Sequence, residues 1–394
     1  MVELKQMIDH TYSAVMRTSK SRWSELPTDI GESILKKFVP PVFDDILIFK
    51  HILSFRAVYH TWRTAAKAFC SYTGFPQTPW LLVHTRCKSS IVDPEQKKVY
   101  EIQNVYGNHH HDFSDVRCKG SSHGWMVVFH KNWDVRESLA YVVNPITRAR
   151  TEIPGKATLS DSEWHSVEIT KVVLSSNPSS NNFSVIVAYY TQTRFVTGAL
   201  AFCKYGDTSW SKLDYPHKYI FHDILFHHDH LFALTKKQSL YVWDFTESYL
   251  KMIFNIADTT PLRSVGRSYL VESMGEVLRV VRGGENTNSA HFLVEKLNVK
   301  DKKWEKVQNL GDQSLFLFHD QSMSLPKTCF LGSEDNSIYF LQGGWLARGV
   351  INRYNLETTE VRRINSLSDL IGKELSSEEL EFHFFPPVWV VPSL

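Results

Sequence analysis

The chain has 394 residues, of which 43% are hydrophobic and 13% are aromatic, with 11 tryptophans. This length allows two domains, and the aromatic content favours a large β domain with a sizeable core. The 44 basic and 42 acidic residues give a formal net charge of +2. Such a balanced charge provides no strong field for nucleic acid or an anionic membrane, so neither is expected as a partner.

The cysteines indicate a reducing compartment. None of the five forms a CxxC pair, which fits buried thiols better than a disulfide framework or a zinc site; they are Cys70, Cys87, Cys118, Cys203 and Cys329. The sequence has no apolar run of about eighteen residues, and residues 1–20 lack the apolar block of a signal peptide. We therefore expect a polar N-terminal segment over 1–20 and an intracellular protein, in the cytoplasm, the nucleus or both.

Residues 21–70 predict a small all-helical module. Pro27 suits a first helical turn, and Pro40 and Pro41 end the helix that it starts. Three apolar stripes at helical spacing follow one another; they are Ile30, Ile34, Leu35 and Phe38, then Ile46, Phe49, Ile52 and Leu53, then Val58, Trp62, Ala65, Ala66 and Phe69. Three short helices of this size usually need a partner to cover their remaining apolar face.

After a turn-rich linker at 71–79, strand signals replace the helical period up to residue 394. An internal repeat of apolar strands and short turns occurs in five passages: Gly124–Pro154, Ser184–Asp214, His230–Ile256, Glu276–Val307 and Ser337–Ile364. Each passage has about the length of one four-stranded propeller blade. We predict a mainly β protein with a closed β-propeller over 80–394, with six blades favoured and seven possible. An Ig-like sandwich fits such an array poorly.

The two ends of this region predict how the ring closes. Residues 80–103 and 387–392 each resemble part of a blade. We predict that Val388–Val391 pairs in the same sheet as Trp80–His84 or a neighbouring strand, because closure removes exposed strand edges.

Several motifs carry a family resemblance. Trp23-Ser-Glu-Leu-Pro27, Phe55-Arg-Ala-Val58 and Trp62-Arg63 resemble the F-box of plant F-box proteins. Cys118–Trp125 (CKGSSHGW), VVNPITRARTEIP, AFCKYGDTSW and the terminal PPVWVVPSL resemble the kelch-like propeller that follows the F-box in these proteins, which include the brassinosteroid-type relatives. The resemblance covers most of residues 80–394.

The resemblance implies docking to a Skp-type adaptor and, through it, to a cullin. The residues that it places at the adaptor are Leu26, Pro27, Ile30, Ile34, Leu35, Phe55, Val58 and Trp62. It also implies that the propeller binds a target protein for ubiquitination. From their residue types and loop positions, the target-binding candidates are Trp133, Arg136, Trp345 and Arg348.

Four constellations allow an enzymatic interpretation. Gly120–Gly124 matches G-x-S-x-G, but a nucleophile elbow at Ser122 needs a following helix, and a strand is predicted there instead. His109–Asp112 and Phe226–His230 are histidine clusters without a second ligand set at defined spacing, so solvated loops are favoured over metal sites. Gly206–Trp210 resembles part of a sialidase Asp-box, and a turn leading to a core tryptophan explains it equally.

Three classes of function remain open. In the favoured one, the chain is the non-catalytic substrate-recognition subunit of a Skp-cullin-F-box ubiquitin ligase, with no catalytic residue, metal or cofactor. The alternatives are a propeller enzyme, a hydrolase or lyase, and a protein-binding scaffold without ligase activity. Nothing in the sequence names the target protein.

Overall fold

The computed structural model divides the chain into two compact units, residues 1–76 with 394, and residues 77–393. The residues that it describes are 27, 29–31, 33–34, 65, 80–84, 89–93, 98–102, 116–130, 139–159, 166–192, 196–215, 219–246, 250–257, 267–284, 290–318, 321–326, 334–341, 350–366 and 388–390. Across these residues, no helix has both the length and the apolar character needed to cross a membrane.

The described part of the first unit is helical. Residues 29–31, 33–34 and 65 have helical conformation. The backbone N–H of Gly31 donates to the carbonyl oxygen of Pro27 at 3.1 Å, as expected for a helix that begins at that proline. Ala65 is fully buried. The rest of the predicted module, including its second helix, lies outside the described residues.

The second unit consists of β-sheets, which we number in chain order. Sheet 1 contains β1 (Trp80–His84), β2 (Ser89–Asp93), β3 (Lys98–Ile102) and β25 (Val388–Val390). Sheet 2 contains β4 (Val116–Ser122), β5 (Trp125–His130), β6 (Ala140–Val143) and β7 (Arg150–Ile153). Sheet 3 contains β8 (Ser166–Leu174), β9 (Ser184–Gln192), β10 (Val196–Lys204) and β11 (Ser211–Lys212).

Three further sheets complete the described strands. Sheet 4 contains β12 (Phe221–His227), β13 (His230–Thr235), β14 (Leu240–Asp244) and β15 (Lys251–Ile256). Sheet 5 contains β16 (Ser268–Ser273), β17 (Glu276–Gly283), β18 (His291–Asn298) and β19 (Lys303–Lys306). Sheet 6 contains β20 (Gln313–Leu317), β21 (Ser322–Pro326), β22 (Ser337–Leu341), β23 (Val350–Asn355) and β24 (Val361–Ser366). Two 3₁₀ helices span Lys156–Leu159 and Pro178–Ser180.

One strand of each sheet lies against the corresponding strands of the neighbouring sheets. These inner strands follow one another in the order β25, β4, β8, β12, β16 and β21. They surround a central axis, and the other strands of each sheet extend outward, which is the arrangement of a β-propeller. The mainly β prediction is confirmed.

The predicted closure of the ring is confirmed. Strand β25 pairs antiparallel with β1, with Trp80 opposite Val390 and Leu82 opposite Val388. The last described strand of the chain is thus the inner strand of the sheet that the first strands build. Trp80 and Val390 are both buried, so this pairing covers apolar surface as well as backbone edges.

The predicted repeat misses one strand of each sheet. The passage Gly124–Pro154 contains β5, β6 and β7, whereas the inner strand β4 precedes it, and sheets 3 to 5 show the same offset. Inner strands β4, β8 and β12 each contain a register shift, so they lack the regular alternation by which a strand is recognised.

A uniform four-stranded repeat is also wrong for sheet 6. This sheet has the order β21-β20-β22-β23-β24, and β20 runs parallel to β22. Strand β20 therefore stands between the inner strand and the strand that would normally pair with it. Leu315 and Leu317 of β20 are buried in the core between sheets 5 and 6. Their burial explains why the chain inserts this strand.

The hydrophobic core lies between neighbouring sheets. Between sheets 2 and 3, the indole of Trp210 is buried, and its Nε1–H donates to the carbonyl oxygens of Pro154 and Gly155, at 3.1 Å each. Between sheets 3 and 4, Ile186 packs with Trp243 in a similar layer. Each sheet thus covers a face of the next, as expected for stacked blades.

Candidate functional site at the centre and upper end of the propeller

A buried ion pair links two inner strands. Lys171 on β8 and Asp223 on β12 form a salt bridge, with side chains only 8% and 2% exposed. The carboxylate of Asp223 also accepts hydrogen bonds from the backbone N–H of Ile224 and of Leu270, both at 2.8 Å. Because the Leu270 N–H belongs to β16, the carboxylate joins three sheets. These bonds offset the cost of removing two charges from water.

Lys171 also reaches an inner strand on the other side of the ring. Its Nζ donates to Oγ of Ser322 on β21 at 3.3 Å, and that hydroxyl donates to the carbonyl oxygen of Leu270 at 2.6 Å. In the order of inner strands, β8 and β21 are separated by β12 and β16. The Lys171 side chain therefore crosses the central channel.

Local backbone irregularities place these charges. The register of the inner strand shifts between Cys118 and Gly120, between Ile169 and Lys171, and between Phe221 and Asp223. The extra residue in each bulge reverses the alternation of the side chains that follow it, so Lys171 and Asp223 occupy equivalent positions on neighbouring strands. At the third equivalent position, a Cβ on Gly120 would lie 2.3 Å from the carbonyl oxygen of Val172. Only glycine fits there.

We call the end of the ring where the inner strands begin the upper end. In a propeller, the second strand of each sheet ends at this side and the third strand begins there. Two sequence-predicted candidates, Trp133 and Arg136, belong to the segment between His130, the end of β5, and Leu139; Trp345 and Arg348 belong to the segment between Leu341 and Val350. All four lie outside the described residues. The strands before these segments, β5 and β22, end at the upper side of the ring, and the strands after them, β6 and β23, begin there.

The upper end carries a histidine held neutral by its surroundings. His222 is the extra residue of the β12 bulge. Burial, followed by the positive charges of Arg267 and Lys236, lowers its pKa from 6.5 to about 4, although the neighbouring Asp223 acts in the opposite direction. Its Nδ1 has no hydrogen-bond partner among the described residues. The cationic side chains around it indicate a positive potential at this end.

The enzymatic interpretations lack supporting geometry in the described residues. Ser122 is the last residue of β4, and it is followed by a turn in which His123 and Gly124 have φ of 54° and 76°, and then by strand β5. A nucleophile elbow requires a helix at that position. Burial lowers the pKa of His123. The geometry of this hairpin therefore does not support Ser122 as a nucleophile.

The second histidine cluster forms the hairpin between β12 and β13. His228 and Asp229 have φ of 45° and 57°, and the rings of His227 and His228 stack with centroids 3.9 Å apart. His230 Nδ1 lies 2.5 Å from the carbonyl oxygen of His228. In the part of the chain that the structure describes, no three potential metal ligands come together. The His109–Asp112 cluster falls outside it.

The Asp-box-like segment is a turn. Gly206 has φ of 88°, and the carboxylate of Asp207 accepts a hydrogen bond from the backbone N–H of Lys204 at 2.8 Å. Trp210 then enters the core between sheets 2 and 3. The interpretation as a turn leading to a core tryptophan is confirmed. Cys118 and Cys203 are buried, and burial raises the pKa of the Cys203 thiol to about 12.

The structure describes three of the predicted adaptor-binding residues. Pro27 is exposed, Ile30 is half-buried and Ile34 is buried. The others lie outside the described residues; they are Leu26, Leu35, Phe55, Val58 and Trp62. The adaptor site therefore stays a prediction from the sequence.

Sequence reasoning missed the channel residues Lys171, Asp223 and Ser322. A signal for two of them is present, because Lys171 and Asp223 each lie within a short, mainly apolar stretch, ITKVVL and FHDILF. A charge at such a position is rare unless it is paired. Ser322 has no comparable signal, because serine is common on exposed strands and turns.

Comparisons with known proteins agree with this architecture. The chain is 21% identical to "Putative F-box protein At4g17565" of Arabidopsis thaliana over 343 residues, which cover 81% of this chain and 83% of that protein. It is 24% identical to "F-box/kelch-repeat protein KIB1" of the same plant over 276 residues, covering 66% of each chain. It is 24% identical to "Putative F-box protein At2g33200", covering 82% of this chain and 86% of that one.

The propeller itself matches a family model. Residues 90–362, which contain β3 to β23 and every channel residue described above, match the model described as "KIB1-4 beta-propeller". The predicted resemblance to plant F-box proteins with a C-terminal propeller is confirmed. The chain belongs to the KIB1-4 beta-propeller family.

Proposed function

We propose that this chain is the substrate-recognition subunit of a Skp-cullin-F-box ubiquitin ligase. The observation that carries the proposal is the similarity to F-box proteins along most of the chain, 81% of its length for one relative and 94% for another. In this role the N-terminal helices dock a Skp-type adaptor, and the adaptor binds a cullin. The propeller contributes a surface for the target protein, and ubiquitin transfer occurs on another subunit.

The upper end of the propeller is the surface that we assign to the target. The Lys171 side chain crosses the channel, so we assign the target to the outer surface of the ring. The predicted residues Trp133, Arg136, Trp345 and Arg348 belong to the two segments whose bounding strands end at this side. Aromatic and arginine side chains commonly contribute most of the energy of a protein interface.

This role needs no catalytic residue of the chain. Holding a target close to a transferase that carries ubiquitin converts a bimolecular encounter into a reaction within one complex. The buried cysteines Cys118 and Cys203 are compatible with an intracellular compartment, the cytoplasm or the nucleus, where ubiquitin ligases act.

Adaptor capture tests the proposal. The experiment is a pull-down of purified Skp-type adaptor with the full chain and with the double variant Leu26→Ala, Ile30→Ala. Truncating one central apolar residue of an interface commonly costs about 2 kcal/mol, or roughly thirty-fold in affinity. We expect the full chain to capture the adaptor and the double variant to lose it.

The matched control is Trp133→Ala with Arg136→Ala, which changes the target surface and leaves the helices intact. Circular dichroism of each variant verifies folding. Failure of the full chain to bind the adaptor, or undiminished capture by the folded helix variant, contradicts the ligase role.

A further inference from the structure

A cavity of about 220 Å³ opens between sheets 2 and 3 at the upper end. Two lysines and a histidine line it, together with the apolar side chains of Phe129 and Ile169; the basic residues are Lys119, His130 and Lys156. Glu168, which is exposed, is the carboxylate among the lining residues. The cavity is therefore cationic overall and has an apolar wall.

Three different elements bring the basic residues together. Lys119 is the extra residue of the β4 bulge, and Lys156 begins the 3₁₀ helix between β7 and β8. His130 ends β5, is 5% exposed, and its Nε2 lies 3.1 Å from the hydroxyl oxygen of Tyr141. Lys119 and Lys156 are both half-buried, so part of each side chain is accessible to solvent.

The positive character continues around the upper end. Lys236 and Lys237 are exposed in the turn between β13 and β14, and the Nζ atom of Lys237 lies 4.7 Å from the ring centroid of Tyr219. Arg267 lies just before β16 at the same side. A basic side chain next to an aromatic ring is a common arrangement in peptide-binding surfaces.

We propose that this cavity binds a carboxylate or phosphate group on an acidic peptide segment of the target. The inference rests on the proposed function and adds the chemical class of the partner. The cavity has the size of one side-chain group, and two ammonium groups on separate elements can contact different oxygens of one anion. A peptide is favoured over a nucleic acid because the net charge of +2 over the whole chain provides no continuous field along a phosphate backbone.

Peptide binding tests the proposal. Fluorescence anisotropy of the full chain is measured with three labelled octapeptides: octaglutamate, octaglutamine, and an alanine-rich peptide with one phosphoserine. We expect the glutamate or phosphoserine peptide to bind at least about tenfold more tightly than octaglutamine, with weaker binding at higher salt. The tighter of the two acidic peptides identifies the group that the cavity takes.

Variants locate the binding to the cavity. Lys119→Gln with Lys156→Gln removes both ammonium groups, and we expect it to weaken acidic-peptide binding about tenfold. Lys204→Gln with Lys300→Gln makes the same change of charge at the other end of the ring, at the exposed end of β10 and in the exposed turn after β18, and should leave binding unchanged. Lys156→Gln alone, at the half-buried first residue of the 3₁₀ helix, gives a smaller loss and serves as the test if the double variant unfolds.

Three outcomes overturn the proposal: equal binding of octaglutamate, octaglutamine and the phosphoserine peptide; equal loss in the two double variants; or tighter binding of an octathymidylate than of either acidic peptide. The adaptor pull-down is independent of this result. Adaptor capture without acidic-peptide binding contradicts only the proposed role of the cavity. Acidic-peptide binding without adaptor capture contradicts only the ligase role.

Discussion

Two buried ion pairs in the propeller have different structural roles. Lys171 and Asp223 belong to different sheets and reach a third and a fourth through Leu270 and Ser322. Arg279 and Glu295 lie directly opposite each other on β17 and β18 of sheet 5. The first pair therefore fixes how sheets are arranged around the axis, and the second stabilises pairing inside one sheet.

The two pairs also differ in their hydrogen bonds and in how far their carboxylates are exposed. The Arg279 Nε and Nη2 atoms donate to one oxygen of Glu295 at 2.8 and 2.6 Å, and the guanidinium lies 4.7 Å from the ring centroid of Trp304. One longer bond, at 3.4 Å, reaches the carbonyl oxygen of Gln238 in sheet 4. The Glu295 side chain is 15% exposed, whereas that of Asp223 is 2% exposed. Water therefore reaches part of the Glu295 carboxylate and almost none of the Asp223 carboxylate, although the Arg279 side chain, 3% exposed, is as buried as Lys171.

The largest effect is expected when the ring itself is opened. Deleting residues 386–394 removes β25 and exposes the edge of β1 with its buried Trp80 and Leu82. We expect aggregation rather than a modest loss of stability, because an unpaired edge and an apolar wall become accessible. Size-exclusion chromatography measures this. Deleting only residues 391–394, which follow the strand, is the control. A monomeric 386–394 deletion with an unchanged melting temperature contradicts the role of closure.

Breaking the channel pair should have the next largest effect. Asp223→Asn leaves the Lys171 ammonium buried without its counter-charge, which typically costs about 3–5 kcal/mol of unfolding free energy. Lys171→Met alone leaves the carboxylate unpaired, whereas the double variant removes both charges. Denaturant unfolding measures the loss of unfolding free energy in each of the three variants. We expect the loss in the double variant to be clearly smaller than the sum of the losses in the two single variants. Additive losses would show that the two charges do not interact.

The third prediction concerns how the unfolding free energy depends on pH through His222 at the upper end. The pKa of this histidine is 6.5 in an unfolded chain and about 4 in the folded protein, so the unfolded state binds more protons between these values. The free energy of unfolding should therefore fall as pH decreases from about 6.5 to about 4, by on the order of 1–3 kcal/mol. His222→Gln should remove this part of the pH dependence. The exposed His228→Gln variant should keep it; loss of the slope in both variants contradicts the assignment.

The smallest effect is expected for the pair inside sheet 5. Glu295→Gln retains an oxygen that accepts a hydrogen bond from Arg279, so we expect a loss of about 1–2 kcal/mol. Lys296→Gln is the neighbouring control, because the Lys296–Glu276 pair is 41% and 50% exposed and should contribute less than about 0.5 kcal/mol. A loss for Glu295→Gln as large as that for Asp223→Asn would remove the distinction between the two pairs.

The amino-acid sequence alone determined the outer strands of the propeller and its closure. Strands such as β9 and β14 combine apolar residues with short turns, and this local pattern is visible without tertiary contacts. Val388–Val390 was predictable as a partner of Trp80–Leu82 because each end of the domain supplies an incomplete set of strands. The F-box motif likewise depends on short runs of consecutive residues.

Only the tertiary structure decided which residues occupy the centre. Lys171, Asp223 and Ser322 are far apart in the sequence, and the bulges that direct two of them to the axis have no distinct sequence signature. The cavity with Lys119, His130 and Lys156 likewise arises from a bulge, a strand end and a 3₁₀ helix on two sheets. The physical reason is that inner strands contact one another only after the sheets have assembled, so long-range packing rather than local propensity selects their side chains.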